Sequence, residues 1–143
     1  MTPPGPSDVE IGTELPRLAV TFTRQKLVRY AGASTDFNPI HYSDHYAAQV
    51  GLPGVIAHGL LTMGVALRVV TDWVGDPAAV TSYFVRFTKP VVVPDTADGV
   101  EVVFTATVVG ISGSVATVAI EASCGEVKVL GAARVEVELG GTP

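Results

Sequence analysis

The sequence predicts an α+β fold, with one antiparallel sheet and a long apolar helix laid on its concave face, all in a single domain. Three observations predict it. From residue 79 onward, apolar and polar residues alternate with a period of two over four successive runs. Ahead of them, residues 59–73 form the most apolar helical pattern in the chain, so that helix is buried on more than one side. The order of elements is one strand, then helices, then four strands, which lets a single sheet cover the helix. The length, 143 residues, suits one domain with one substantial core.

The elements follow in order. Residues 1–10, MTPPGPSDVE, read as a flexible Pro-rich tail with neither the basic residue nor the apolar stretch of a secretion signal. The domain is expected over 11–139, with a flexible C-terminus at 140–143. RLAVTFT (17–23) is a short strand. Thr23 is placed to cap a helix over about residues 24–33, with Leu27, Tyr30 and Ala31 inward and Arg24 and Lys26 toward solvent. A second short helix spans 44–50 and ends at Gly51. In the helix at 59–73, Leu60, Met63, Gly64, Leu67 and Val70 fall at helical spacing, with Ala66 and Val69 beside them.

In the sheet region, Tyr83, Val85 and Phe87 share one face. Val100 to Val108 and Ala116 to Ala122 continue the alternation, and Val127, Val129, Ala133, Val135 and Val137 extend it. ISGS (111–114) and CGE (124–126) are hairpin turns. A sheet curved around one helix leaves an open edge and an apolar flank. A dimer is expected to cover both.

Composition narrows the function. Apolar residues are 48% and charged residues 16%, the balance of a folded globular chain. No apolar run approaches the roughly 20 residues that span a bilayer, so no membrane role is expected. Net charge is −5, and the nine Lys and Arg are dispersed, which argues against nucleic acid. Cys124 is the only cysteine, so a cytoplasmic location without internal disulfides is expected.

The stretch STDFNPIH (34–41) carries the chemistry of interest. By spacing alone it fits an ordinary Asn-Pro turn as well as a catalytic pair. As a pair, Asp36 and His41 supply a carboxylate and an imidazole that an Asn-Pro turn folds toward each other. Gly59, opening the buried helix, offers an N–H with no side chain in the way, suited to stabilising negative charge on a carbonyl oxygen. A sheet with a central apolar helix can provide an apolar slot beside them.

Three blocks resemble a known family. YAGASTDFNPIH (30–41) is similar to the hydratase motif of the MaoC-like, R-specific enoyl-thioester hydratase/dehydratase family. GVIAHGLLTMG (54–64) resembles its second block and VRFTKPVVVPDT (85–96) its third. Within the family, AHGLLTMG and VTDWVGDPAAVTSYFVRFT look most like the catalytic B subunits of mycobacterial-type (3R)-hydroxyacyl-ACP dehydratases, which pair with a partner lacking the acid and histidine. The resemblance implies a hot-dog fold and no cofactor. It implies reversible hydration of (2E)-enoyl or dehydration of (3R)-3-hydroxyacyl thioesters, carried on coenzyme A or an acyl carrier protein. It also implies a homodimer or a heterodimer with a related hot-dog subunit. Asp36, His41 and Gly59 would be catalytic, and Asn38, His58, Thr62 and Gly64 are the substrate-binding candidates. Thr35 stands where many members have Gly, and Pro94-Asp95 where the third block usually has Gly-Asp.

Other residues weigh less. His45 follows His41 by four, but no third ligand has the right context, so no metal is expected. Arg68, Arg86 and Lys89 are candidates for a phosphate of the carrier arm or for plain surface charge. Asn38 is read chiefly as shaping the loop, and His58 as either orienting substrate or anchoring the helix start. A non-catalytic hot-dog partner subunit is the alternative reading, and the intact Asp36 and His41 argue against it. A thioesterase would need a carboxylate on the central helix, which offers only Asp72 at its far end.

Overall fold

The computed structural model describes residues 3–140. Its elements are β1 (Leu18–Phe22), α1 (Arg24–Ser34), α2 (Asp44–Gln49), α3 (Gly59–Val74), β2 (Val80–Phe87), β3 (Val100–Ser112), β4 (Val115–Cys124), β5 (Val127–Lys128) and β6 (Leu130–Glu138). The strands form one antiparallel sheet in the order β1-β3-β4-β6-β2, with β5 paired to β4. The sheet curves around α3, which is the hot-dog arrangement expected above.

Local chemistry sets the boundaries. The Thr23 hydroxyl accepts from the Lys26 N–H at 3.2 Å and starts α1, as its position predicts. At the β1–β3 entry, Gly99 has φ +61°, and a Cβ there would run into the Phe22 carbonyl. Gly75, at φ +75°, ends α3 with its N–H on the Thr71 carbonyl at 2.9 Å.

The phase of α3 differs from the expected one. Its buried face is Thr62, Ala66, Val69, Val70 and Val74. Leu60 is 66% exposed, and Gly64 is exposed on the outer side. The helix is apolar nearly all round, so spacing alone does not say which side meets the sheet. Phe104, Val118 and Val135 of the sheet are fully buried in the same core as Val70. Tyr83 of β2 adds a polar tie, its hydroxyl donating to the Met63 carbonyl of α3 at 2.7 Å. Burial pushes the Tyr83 phenol well above its ordinary range, so it stays a donor.

Three further expectations are corrected. The last run of alternation is not one strand. It is interrupted at Val129, between β5 and β6, and Ala132 takes φ +49° within β6; both Val129 and Leu130 are buried while Val127, at the hairpin tip, is half exposed. A bulge shifts the inward phase by one residue. Described residues 3–10, expected as a flexible tail, are mostly exposed but anchored at two points. Val9 is buried, and the Gly140 N–H donates to the Pro4 carbonyl at 3.1 Å. Beyond them, Gly12 and Leu15 donate to Val108 and Ala106, so this segment continues the sheet along β3. The apolar side chains of Val9 and Leu15 drive that packing. The rest of the expected tails, residues 1–2 and 141–143, lies outside the described residues. Finally, Arg24 is not a free surface charge. Its Nε donates to the Val93 carbonyl at 2.7 Å, and its other nitrogens grip Asp44 at 2.8 and 3.2 Å.

Replacing Tyr83 with Phe removes one hydrogen bond while Met63 keeps its helical partner. Tyr83→Phe is expected to lower unfolding free energy by about 1 kcal/mol, measured by denaturant titration.

Candidate active site

The site is built on the turn after α1. Thr35 ends the helix in the left-handed region, at φ 61° and ψ 15°. Asp36 then starts a compact loop. Its Oδ1 accepts from the Asn38 N–H, and the Asn38 Oδ1 accepts from the Ile40 N–H, each at 3.2 Å. These Asx-type bonds are the physical content of the Asn-Pro motif. Asn38 is exposed, and its side-chain oxygen is engaged within the loop.

The loop brings Asp36 and His41 together. The Asp36 Oδ2 lies 3.8 Å from the His41 Nε2. His41 is buried, whereas the Asp36 side chain is 50% exposed. The His41 Nδ1 sits 2.7 Å from the Ile56 carbonyl, so Nδ1 carries the hydrogen and the neutral ring presents a bare Nε2 toward the carboxylate.

His58 lies under both. It is 1% exposed, and its Nε2–H donates to the Asp36 main-chain carbonyl at 3.1 Å. Its ring stacks on His41 at 3.7 Å with 22° between planes, and the Tyr30 ring meets it edge-on at 4.7 Å. The His58 Nδ1 is buried with no hydrogen-bond partner. Burial holds the His58 imidazole below its ordinary value. The bond to the Asp36 carbonyl opposes this, and charge on His41 adds to it. Asp36, His41 and His58 are close enough to be weighed as metal ligands. Stacked rings run their nitrogen lone pairs side by side instead of toward one point, and one nitrogen of each ring already meets a carbonyl. The arrangement suits proton handling better than a tetrahedral metal site.

A cavity of about 430 Å³ opens beside His41. His41, Gly59, Thr62, Phe87 and Val129 line it, with Lys89 as its charged residue. Gly59 is the first residue of α3, so its N–H has no partner within the helix. A Cβ at that position would stand 3.2 Å from the Phe87 ring. The site therefore collects Asp36, His41, Gly59 and Thr62. His58 lies beneath it and does not line the cavity. Gly64 does not belong to it, because five residues on from Gly59 is well round the helix, on the side away from Thr62. Asp72 is about 20 Å along α3 from Gly59 at 1.5 Å per residue, and it pairs with Arg68 at 3.3 Å.

A second hollow, about 270 Å³ and apolar, lies on the α1 side of His41 between Val28, Phe37 and Tyr42. Residue spacing missed it, along with the place of Phe87 and Thr88 in the wall of the first cavity. The only sequence signal for the latter pair was the block VRFTKPVVVPDT. His45 is an exposed residue of α2. Burial pushes the Cys124 thiol up, away from reactivity.

Comparison with known proteins decides the family. Residues 8–123 match the model of the MaoC like domain.

The chain belongs to the MaoC-like domain family.

Among curated relatives, the (R)-specific enoyl-CoA hydratase of Rhodospirillum rubrum is 31% identical over 128 residues, covering 87% of this chain and 85% of that protein. The 3-hydroxyacyl-thioester dehydratase X of Mycobacterium tuberculosis is 39% identical over 82 residues, covering 57% of this chain and 28% of that protein. A solved MaoC-like dehydratase superposes with a TM-score of 0.91 at 37% identity, over 97% of this chain and 44% of the other. The MaoC-like chain described here thus spans less than half the length of the last two.

Two outcomes follow from this geometry. A β-branched residue in the left-handed region costs about 1–2 kcal/mol, so Thr35→Gly is expected to raise stability by about 1 kcal/mol after the extra freedom of the unfolded chain is counted. Calorimetry on the two proteins checks it. His58 has an ordinary value of 6.5, held lower in the fold. As pH drops below that value the unfolded chain takes a proton that the folded chain refuses. Stability should therefore fall, by at most about 1.4 kcal/mol per pH unit, until the folded value is reached. His58→Gln should flatten that slope in denaturant titrations between pH 7.5 and 5.5.

Proposed function

We propose that this MaoC-like chain is a hydro-lyase that adds water reversibly across C2–C3 of a (2E)-enoyl thioester to give the (3R)-3-hydroxyacyl thioester. One observation carries the reading: the Nε2 of His41 lies 3.8 Å from the Asp36 carboxylate, and His41 lines an apolar cavity together with the N-terminus of α3. A water oxygen placed about 2.8 Å from each group completes a bent bridge with ordinary hydrogen-bond lengths. The relatives are named for reactions of this class, which supports the assignment.

In the hydration direction the pair takes a proton from water as its oxygen attacks C3. The C2–C3 double bond shifts its electrons toward the thioester carbonyl, and the Gly59 N–H receives the developing enolate charge. The pair then returns one proton to C2, so a whole water molecule is added. The apolar lining excludes competing water and strengthens the hydrogen bond at Gly59. Asn38 fixes the loop, Thr62 borders the reacting end of the slot, and Lys89 at the cavity suits a phosphate of a coenzyme A or carrier-protein arm. The reading includes a dimer, with a second copy or a related hot-dog subunit. The open edge of β2 with Phe84, 55% exposed, and the outer face of α3 with Leu60 support it.

The test is hydration of crotonyl-CoA, followed by loss of the enoyl-thioester absorbance, with the product's configuration determined. Rapid formation of the (3R)-alcohol is expected. Asp36→Asn and His41→Ala should each lose about 100-fold or more in kcat, the usual share of a general acid–base group, while circular dichroism stays native. Near-normal turnover in either variant would sink the pair.

A further inference from the structure

We propose that His58 is a positioning residue that clamps Asp36 and His41 into their working geometry without touching substrate. The inference rests on the reading above and adds a residue that the reaction scheme does not use.

One buried residue touches all three parts of the site, two of them through its ring and the third through its main-chain carbonyl. Its Nε2–H holds the main-chain carbonyl of Asp36 at 3.1 Å. Its face supports the His41 ring at 3.7 Å. Its own carbonyl accepts from the Leu61 and Thr62 N–H groups, at 3.1 and 3.2 Å, so it caps α3 directly before Gly59. Tyr30 closes the stack from behind, edge-on at 4.7 Å. A rotation of the His58 ring would disturb the Asp36 main chain and the His41 ring together, directly beside the helix start.

Fold stability does not ask for this residue. At 1% exposure, with its Nδ1 buried and unpartnered, His58 is a costly choice for a core position that an apolar ring of similar size would fill. Histidine alone combines a flat face for His41 with a rim N–H for Asp36. Phe keeps only the face, and Gln keeps only the N–H. His58 is 1% exposed and its Nε2–H is already held by the Asp36 carbonyl, whereas the Asp36 side chain is half exposed, so a contact with substrate is not what His58 supplies.

The experiment compares His58→Gln, His58→Phe and His58→Ala with the wild-type chain. The readouts are kcat and KM for crotonyl-CoA, thermal midpoints, and proton–nitrogen spectra of the histidine rings. The Gln and Phe variants are expected to stay folded and to lose kcat by about 10- to 100-fold, the scale of a misplaced catalytic group, with KM changed by less than about twofold. The Ala variant should lose more than either. The His41 ring resonances, shifted by the face beneath them, should move toward ordinary positions in the Gln and Ala variants and stay near their native places in the Phe variant. If the His58 variants do not fold, Tyr30→Leu, which removes only the backing contact, should lower kcat while leaving KM unchanged.

Wild-type kcat in both the Gln and Phe variants overturns the proposal. So does a rise in KM with kcat intact, which would mark a substrate contact. If Asp36→Asn and His41→Ala are inactive while the His58 variants are not, this inference alone fails. If the pair variants keep full turnover, the parent reading fails and takes this one with it. If the wild-type chain turns over no crotonyl-CoA, the spectra decide: His41 resonances unmoved in His58→Gln overturn the clamp.

Discussion

Everything at the site depends on one extended segment, Val55–Ala57. On one side it pairs with the chain after β2, through Ala57 N–H to the Val91 carbonyl and Val93 N–H to the Val55 carbonyl, both at 2.9 Å. On the other side it holds the catalytic turn. The Ile56 N–H donates to the Ile40 carbonyl at 3.1 Å, and the Ile56 carbonyl accepts from the His41 ring at 2.7 Å. That last bond sets the tautomer, and hence which nitrogen faces Asp36. The same segment delivers the chain to His58 and Gly59. The acid–histidine turn, the helix start and the cavity wall are therefore fastened to one short strip of backbone. Arg24 braces the strip from outside through Val93 and Asp44, and its guanidinium holds the Asp44 carboxyl below the usual range.

The apolar wrap around α3 has two consequences. It makes a dry cavity in which a single N–H at Gly59 matters, because an unshielded charge is costly there. It also leaves the sheet only one side of the helix to cover. Thr62, Ala66, Val69, Val70 and Val74 turn inward, while Leu60 remains outside. In this MaoC-like chain the polar groups are few and nearly all local to the turn. Besides Tyr83 and Arg24, His58 is a polar side chain whose ring bridges segments far apart in the chain. Its depressed basicity follows from the same burial that makes the cavity apolar.

Much of this was legible in the residues. Period-two alternation marked the strands, because successive side chains on a strand face opposite ways. The Thr23 cap, the hairpin turns and the glycine helix ends are local chemistry and were read correctly. Asp36, His41 and Gly59 could be nominated because each sits in a recognisable short motif. Gly64 lies outside the cavity, because a small residue near a helix start can be named from sequence while the helix phase that turns it outward cannot. Lys89 and Phe87 entered the cavity from a strand end that lies far from the turn in sequence.

The sequence by itself determined the element types, their order, the turn that folds an acid toward an imidazole, and the family. Only the tertiary structure decided which face of α3 is buried, that the last strand bulges at Ala132, that residues 12–15 extend the sheet, and that His58 lies beneath the pair. The reason is physical. Hydrogen bonds within a few residues are dictated by residue type, whereas helix phase, strand register and ring stacking depend on partners tens of residues away, and those partners are chosen by which apolar surfaces close together with the fewest polar groups left unpaired.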